Sequence, residues 1–389
     1  MDFKVLQSEF SKALSTSGKS ILSRANLPIL SNVLIKAGAS GVEIVSTNLE
    51  TATKVQVGGK VGAFGEITLS GKMILEFVSQ LPEGEVKFEK LGEEVVITTK
   101  GYSGRFPTMP PEEFPAIPKI EKGISLEVDS AEFAKRVLKI IFSAAQDEGR
   151  PILTGALCEI NKNRMRIVVT DGYRLGYEEV ALSSPKNLPN IKINVPARAL
   201  NEVAKIIAEG NSREQGDEKG KAGEKINILI SDALNQINFK INGVEFTSRL
   251  IEGEYPNWQK IIPSTFNTKV TINRAEFIKL VKITSIFARE SGNIIKLKFE
   301  PTGSGKNGKL SVMATSSQVG SSDVSCEVGI VGKGGEIAFN YRYLAEVLSA
   351  IDDEEINFEM NESLNPGKIT GMDSKDPYFH IIMPVRLQA

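Results

Sequence analysis

The sequence contains a single histidine, His380, and two cysteines, Cys158 and Cys326, among 389 residues. One histidine excludes a histidine-rich metal site within one chain, and a Ser-His-Asp triad could use only that residue. The cysteines stand apart in apolar, strand-like runs without a CxxC spacing. We therefore expect two buried thiols in a reducing compartment.

An excess of one charge and long apolar runs are also lacking. Lys and Arg total 47 and Asp and Glu total 48, which excludes a globally basic nucleic-acid binder but allows a local basic surface. No apolar run approaches the ~18 residues of a membrane span. The start, Met1-Asp2-Phe3-Lys4, turns polar at once, so we expect no signal peptide. Length and average composition predict two or three globular domains.

What the sequence does contain is a threefold internal repeat. Residues 3–14, 126–137 and 270–281 each read as a short alternating strand that enters an amphipathic helix. A second block, again a strand entering a helix, recurs at residues 67–76, 193–202 and 337–346. With the strand-like runs between these blocks, each third reads as two helices plus about eight strands, an α+β unit.

Composition places the boundaries between the thirds. Five prolines crowd residues 107–118, and a similar stretch, Glu254-Tyr255-Pro256-Asn257-Trp258, closes the second third. Such stretches cannot be helices or central strands. We expect domains at 1–121, 122–252 and 253–389. Residues 210–224, which are polar and rich in Gly and Lys, predict a surface loop in the second domain.

Positive charge recurs at fixed places in the repeat. One position of the first helix and one of the second are basic in all three copies, namely Lys12, Lys135, Lys279, Lys72, Arg198 and Arg342. The last three fall in the first turn of their helices, where a cation opposes the helix dipole. A basic surface shared by three similar domains of a neutral chain suggests a polyanion such as duplex DNA.

Signals for catalysis are weak, because nothing in the sequence assembles a nucleophile, a base and an orienting group. An enzyme that uses Asp171 or His380 is one alternative. A second alternative is an interaction scaffold whose three repeats form an open arc without DNA. Gel filtration distinguishes the two, because an open arc would elute as a monomer and a closed ring as a dimer.

Four landmarks in fixed order carry a family resemblance. They are Leu27-Pro28-Ile29-Leu30, Thr170-Asp171-Gly172-Tyr173-Arg174-Leu175, Glu252-Gly253-Glu254-Tyr255-Pro256 and Met383-Pro384-Val385-Arg386-Leu387. On a threefold repeat of this length, the chain resembles the bacterial DNA polymerase III beta subunits, the sliding clamps, over its whole length. The resemblance implies three clamp domains per chain and a head-to-tail homodimer that closes a ring, with no catalysis, cofactor or metal.

The resemblance also implies partners. They are duplex DNA held without sequence preference, the replicative DNA polymerase, the clamp loader, and other polymerases and repair proteins that carry clamp-binding peptides. It implies a cytoplasmic, nucleoid-associated protein without membrane contact.

Residue roles follow from the same resemblance. The helix cations would face DNA, together with Arg24 and Arg150, which lie in two loops. After Arg150 some relatives have aromatic residues, where this chain has Pro151 and Ile152. The dimer seam would contain Phe106, Ile286 and Phe287, although Phe106 could equally belong to the core of its own domain. A pocket for partner peptides would be formed by Leu153, Thr170, Gly172, Tyr173, Arg174, Leu175, Pro256, Ile261, Tyr343, Ile382, Met383, Pro384 and Arg386. Gln388 and Ala389 extend past that segment and could crowd it.

Overall fold

The computed structural model describes residues 1–21, 27–147, 149–183, 188–211, 224–302, 307–373 and 376–386. They form two compact units. The first consists of Met1–Ala131, Leu182–Ser184 and Glu202–Leu250, and the second of Glu132–Ala181, Pro185–Asn201 and Ile251–Ala389. Arg24, most of the predicted loop 210–224, Gln388 and Ala389 lie outside the described residues.

The described parts of the three thirds share one order of elements, except that the first third has an additional strand, Gly59–Ala63, between the strands Thr51–Val57 and Gly65–Ser70. The first third contains β1 (Asp2–Leu6), α1 (Gln7–Ser17), β2 (Asn32–Gly38), β3 (Gly41–Thr47), β4 (Thr51–Val57), β5 (Gly59–Ala63), β6 (Gly65–Ser70), α2 (Gly71–Gln80), β7 (Glu85–Leu91), β8 (Glu94–Thr99) and β9 (Tyr102–Pro107). The second contains β10 (Gly123–Asp129), α3 (Ser130–Ile140), β11 (Gly155–Asn161), β12 (Arg164–Thr170), β13 (Arg174–Ala181), β14 (Ile191–Pro196), α4 (Ala197–Asn211), β15 (Lys225–Ser231), β16 (Gln236–Ile241) and β17 (Val244–Arg249). The third contains β18 (Thr268–Asn273), α5 (Arg274–Ala288), β19 (Ile294–Pro301), β20 (Asn307–Ser316), β21 (Gly320–Gly332), β22 (Gly335–Asn340), α6 (Tyr341–Ala350), β23 (Glu355–Met360), β24 (Gly367–Thr370) and β25 (Phe379–Ile382). Two strand-to-helix blocks in every third confirm the predicted repeat.

The first unit contains two antiparallel sheets. One has five strands in the order β5-β1-β7-β8-β9, and the other has eight in the order β10-β15-β16-β17-β4-β3-β2-β6. The eight-stranded sheet joins strands of the first and second thirds where β17 pairs with β4, with Ser248 opposite Thr51. This shared sheet is the reason that the compact unit does not end at the predicted domain boundary.

The second unit contains one antiparallel sheet of twelve strands. Its order is β14-β11-β12-β13-β25-β24-β23-β18-β21-β20-β19-β22. Here β25 pairs with β13, with Ile382 opposite Arg174. Since β25 and β13 hold the same places in their thirds as β17 and β4 do, the two joints are copies of one arrangement.

The first helix of each third is anchored by a phenylalanine. Phe10, Phe133 and Phe277 occupy the same helix position, and none is exposed to solvent. In α5, the side chain of Asn273 accepts a hydrogen bond from the backbone N–H of Glu276 (3.0 Å) and so caps the start of the helix. Leu6, at the equivalent place before α1, makes no such bond.

The scarce residues are buried as expected. Cys158 and Cys326 are both free thiols inside the protein, and burial raises their pKa values to about 12 and about 11. Within the described ranges, no helix has the length and hydropathy needed to cross a bilayer. The same residues contain no cluster of three or more His, Cys, Asp and Glu side chains arranged to bind a metal ion.

Candidate nucleic-acid and partner interfaces

The turn between β12 and β13 is built by its own side chains. One carboxylate oxygen of Asp171 accepts hydrogen bonds from the backbone N–H groups of Tyr173 (2.8 Å) and Arg174 (3.0 Å). The hydroxyl of Thr170 donates to the carbonyl of Arg174 (2.5 Å) and accepts from the N–H of Gly172 (3.0 Å). Gly172 has a φ of +92°, a conformation that favours glycine. The turn is therefore rigid, and it leaves the Tyr173 side chain 56% exposed.

Arg174 lies beneath this turn. It is only 6% exposed, and its guanidinium binds Asp171 (3.0 Å), the carbonyl of Phe142 (2.6 Å) and the carboxylate of Glu346. It also lies over the ring of Tyr343, 4.6 Å from the centroid. Because these partners come from three separate segments of the second unit, Arg174 holds the turn against α6.

The end of the chain runs past the same turn. The N–H of Met383 donates to the carbonyl of Tyr173 (2.8 Å), and that of Val385 donates to the carbonyl of Ala338 (2.8 Å). Met383 and Pro384 are half-buried and Arg386 is exposed. The C-terminal segment is thus fixed between the turn and β22.

A recess of about 510 Å³ opens beside this segment. Its lining combines apolar with polar and charged residues and consists of Lys296, Glu336, Ile337, Ala338, Ser363, Leu364, Val385 and Arg386. Leu364 is 54% exposed. Of the lining, sequence reasoning named only Arg386. An exposed leucine in the turn-like run Asn361-Glu362-Ser363-Leu364-Asn365 was the available signal for Leu364.

The segment before β18 reaches the turn from another side. The Tyr255 hydroxyl accepts a hydrogen bond from the N–H of Thr170 (3.1 Å), and burial raises the pKa of Tyr255. Pro256 is exposed and Ile261 is 38% exposed. Three further predicted pocket residues, Leu153, Leu175 and Ile382, are at most 5% exposed.

The six repeat cations occupy identical helix positions. Lys12, Lys135 and Lys279 are the sixth residues of α1, α3 and α5, and Lys72, Arg198 and Arg342 are the second residues of α2, α4 and α6. Lys12 pairs with Glu9 (3.5 Å) and Lys135 with Asp352 (3.1 Å). The second-position cations are exposed and form no ion pair with any described residue. They remain available to an anion.

Arg150 lies at the turn described above. Its guanidinium carbon is 5.9 Å from the Tyr173 ring centroid, and a Cβ atom on Gly172 would lie 2.9 Å from one of its nitrogens. A residue expected to contact DNA is therefore also a neighbour of the predicted peptide pocket.

The predicted seam residues lie on an edge strand and at the end of a helix. Phe106 is on β9, the edge strand of the five-stranded sheet, and packs edge-on against Phe77 with 5.2 Å between ring centroids. It therefore belongs partly to the core of its own unit. Ile286, in the last turn of α5, is 59% exposed, and Phe287 is half-buried.

A buried ionic cluster links α3 to the middle of the twelve-stranded sheet. Arg136 binds Glu178 (2.6 Å), Asp376 (2.9 Å) and Glu132 (3.0 Å). Glu178 is fully buried, and its second oxygen has no hydrogen-bond partner within the described chain. Burial raises the pKa of Glu178 to about 7 although Arg136 opposes this shift. Glu132, Asp376 and Arg136 keep part of their side chains exposed, so Glu178 is the buried member of the cluster.

His380 does not form a catalytic centre. It is fully buried, stacks on Phe142 and lies 3.1 Å from the carbonyl of Lys139. Burial lowers its pKa to about 4, so the imidazole is neutral at physiological pH. A buried neutral ring cannot serve as the exposed base that the enzyme alternative needs.

Comparison with known proteins adds the family. Three models of the DNA polymerase III beta subunit match the chain: the N-terminal domain at residues 1–118, the central domain at 127–257 and the C-terminal domain at 259–386. The chain is 27% identical over 401 residues to the beta sliding clamp of Synechocystis sp., covering 98% of both.

Solved structures of DNA polymerase III beta subunits resemble the fold of this chain. The DNA polymerase III beta subunit of Thermotoga maritima is 27% identical with a TM-score of 0.88, and each chain covers 100% of the other. The sliding clamp of Bacillus subtilis has the same coverage and a TM-score of 0.89 at 23% identity, a likeness of fold alone. The predicted α+β fold of three repeated clamp domains is confirmed.

Proposed function

Since this chain belongs to the DNA polymerase III beta subunit family, we propose that two copies close head to tail around duplex DNA and present the turn at Thr170–Leu175 to replication partners. The chain is a DNA sliding clamp, a non-catalytic processivity factor in replication. The observation that supports the DNA contact best is that cations recur at the same two helix positions in all three repeats. Contacts of this kind go to phosphates and need no base sequence.

Retention on DNA should depend on topology. After clamp-loader treatment, the protein should stay on nicked circular DNA and leave when the DNA is linearised. Replacing Arg198 and Arg342 by Gln should keep retention on the circle but lower the salt slope of DNA binding by about 0.9 for each lost phosphate contact. Lys192→Gln with Lys240→Gln, which removes two strand-borne cations, is the matched control. Equal retention on circular and linear DNA would contradict the ring.

The repeat supplies a register for the seam. In the two joints described above, β17 with β4 and β25 with β13, the last strand of one third pairs with the third strand after the first helix of its neighbour. Phe106 holds in β9 the place that Ser248 and Ile382 hold in β17 and β25. We therefore expect β9 to pair antiparallel with β21, with Phe106 near Gly320 of the partner subunit. Among the described residues, β9 is an edge strand and residues 320–328 of β21 pair only with β20, so both have an open side of the kind that proteins usually cover.

The partner site comprises the turn, the C-terminal segment and the recess beside them. Tyr173, Met383 and Leu364 offer an adaptable apolar surface, which suits a short peptide with apolar anchors. We propose that the replicative polymerase, the clamp loader, and other polymerases and repair proteins share this site. Arg174, Leu175, Leu153 and Ile382 support it from below.

Truncating Met383 tests this assignment. Met383→Ala should weaken binding of a synthetic clamp-binding peptide by about tenfold, the effect of losing one interface anchor of about 1–2 kcal/mol. Calorimetry measures the affinity, and light scattering checks that the dimer persists. Met372→Ala, which truncates a 44% exposed methionine elsewhere in the same unit, is the control. Unchanged affinity for Met383→Ala rejects the site.

We further propose that the three domains span residues 1–121, 122–252 and 253–389, and that the protein is cytoplasmic and associated with the nucleoid. The scaffold without DNA is not favoured, because it gives no reason for cations that recur at two helix positions in three repeats.

A further inference from the structure

The turn that builds the partner site has a copy in the first unit, between β3 and β4. The carboxamide oxygen of Asn48 accepts hydrogen bonds from the backbone N–H groups of Glu50 (3.0 Å) and Thr51 (2.7 Å), as Asp171 does in the second unit. The hydroxyl of Thr47 donates to the carbonyl of Thr51 (2.8 Å) and accepts from the N–H of Leu49 (3.0 Å). The four bonds between side chain and backbone that close the partner-site turn are thus reproduced.

The neighbours of this turn are reproduced as well. The N–H of Arg249 donates to the carbonyl of Glu50 (2.9 Å), as Met383 donates to Tyr173. Pro115, which follows a buried Phe114, lies beside the turn and matches the proline after Tyr255. The joint between the first and second thirds therefore has the architecture of the partner site.

One residue differs in a way that points to binding. Leu49 stands where the second unit has Gly172, and it adopts a φ of +76°, a conformation that disfavours side chains. The leucine side chain is 52% exposed, so packing does not explain it. A strained, exposed apolar residue at the mouth of a cavity is a feature of ligand sites.

The cavity beside Leu49 has a volume of about 310 Å³ and is lined also by Pro115, Ile117, Pro118 and Arg249. This volume lies at the lower end of the range for ligand pockets and suits one aliphatic side chain with its backbone. The apolar lining and the proline-rich wall favour an extended chain.

The charged side chains around the cavity indicate which other groups the ligand carries. Pro118 and Thr247 also line an adjoining cavity that contains Lys54 and Lys119. These two lysines and Arg249 form no ion pair with any described residue. The carboxylates nearby are Glu43, Glu50 and Glu245; the amide of Gln56 binds Glu43 (2.9 Å) and Lys240 binds Glu245 (2.8 Å). Four cations against three carboxylates leave the groove net positive, which favours an acidic ligand.

We infer that the joint at Leu49 is a second docking site, for an extended peptide in which an aliphatic anchor is flanked by carboxylates. The inference uses the proposed partner site as its structural model, but it concerns a separate surface. Leu49 and Ile117 contact the anchor, while Arg249, Lys54 and Lys119 face the carboxylates. A clamp with both sites could hold two peptide-bearing proteins on one chain.

The test follows methyl NMR signals of the full-length dimer during titration with the synthetic peptide Ser-Ser-Asp-Asp-Leu-Asp-Asp-Ser-Ser. Leu49 and Ile117 report on the second site, and Leu153 and Ile261 report on the partner site. We expect saturable shifts at Ile117 that weaken at least about tenfold in Leu49→Gly and in Arg249→Gln. Replacing every Asp of the peptide by Asn should weaken them as well.

Leu49→Gly is expected to fold, because glycine already occupies the equivalent position 172, and its unfolding temperature should be unchanged or higher. Shifts at Ile117 that are equal in wild type and both variants overturn the inference, as do shifts confined to Leu153 and Ile261. The latter result supports the partner site, so the two proposals fail separately.

Discussion

Replacing Ile286 and Phe287 by aspartate should convert the dimer to a monomer. Ile286 exposes 59% of its surface in the last turn of α5, and Phe287 is half-buried beside it. In the proposed ring, this end of α5 lies in the seam. Closing the seam over two carboxylates would require their desolvation, at a cost of several kcal/mol for each unpaired charge.

The measurement is light scattering at micromolar concentration. We expect the double variant to have half the mass of the wild type, with a dimer dissociation constant at least about 100-fold higher. Leu234→Asp, at a 42% exposed leucine in the turn between β15 and β16, is the matched control and should stay dimeric. The monomer should also be lost from circular DNA. A double variant that still scatters as a dimer places the seam elsewhere.

Replacing Arg136 by methionine should destabilise the second unit strongly. Arg136 is the only cation within salt-bridge distance of the buried Glu178 among the described residues. Removing one partner of a buried ion pair typically costs about 3–5 kcal/mol, because the remaining charge is left without compensation. Arg164→Met, which removes an exposed partner of Glu179, is the control and should cost at most about 1 kcal/mol.

The stability lost on replacing Arg136 should depend on pH in a defined direction. Burial raises the pKa of Glu178 in the folded protein to about 7, above its value of 4.5 without burial. The fold therefore gains stability as pH falls through 7 and Glu178 takes up a proton. Without Arg136 the buried carboxylate is more costly, so the deficit against wild type should shrink between about pH 8.5 and about pH 6.

Thermal unfolding at the two pH values measures this effect. The midpoint difference between Arg136→Met and wild type should be largest at the higher pH. A deficit that is constant with pH, or that grows as pH falls, contradicts an ionised Glu178 as its cause.

Sequence reasoning succeeded where a feature is local and repeated. The strand-to-helix blocks follow from periodicity, and the cations at the sixth and second helix positions follow from comparing the three copies. These features need only the chain's own neighbours, so the tertiary structure left them unchanged.

Sequence reasoning was weaker for side chains whose partners lie far along the chain. Arg174 was named as a pocket residue from the family resemblance alone, and its burial could not be read from the sequence because Glu346 and the carbonyl of Phe142 meet its guanidinium. Leu364 was missed because the recess beside it forms only when the C-terminal segment pairs with β22.

The sequence by itself determined the threefold repeat, the family and the absence of a catalytic constellation, because these depend on residue type and spacing. Only the tertiary structure decided which residues of the partner site are open, that Arg136 and Glu178 meet inside the second unit, and that the turn at Leu49 copies the turn at Gly172. Those relations arise when β17 pairs with β4 and β25 with β13, and hydrogen bonds between strands so distant in sequence leave no local pattern to read.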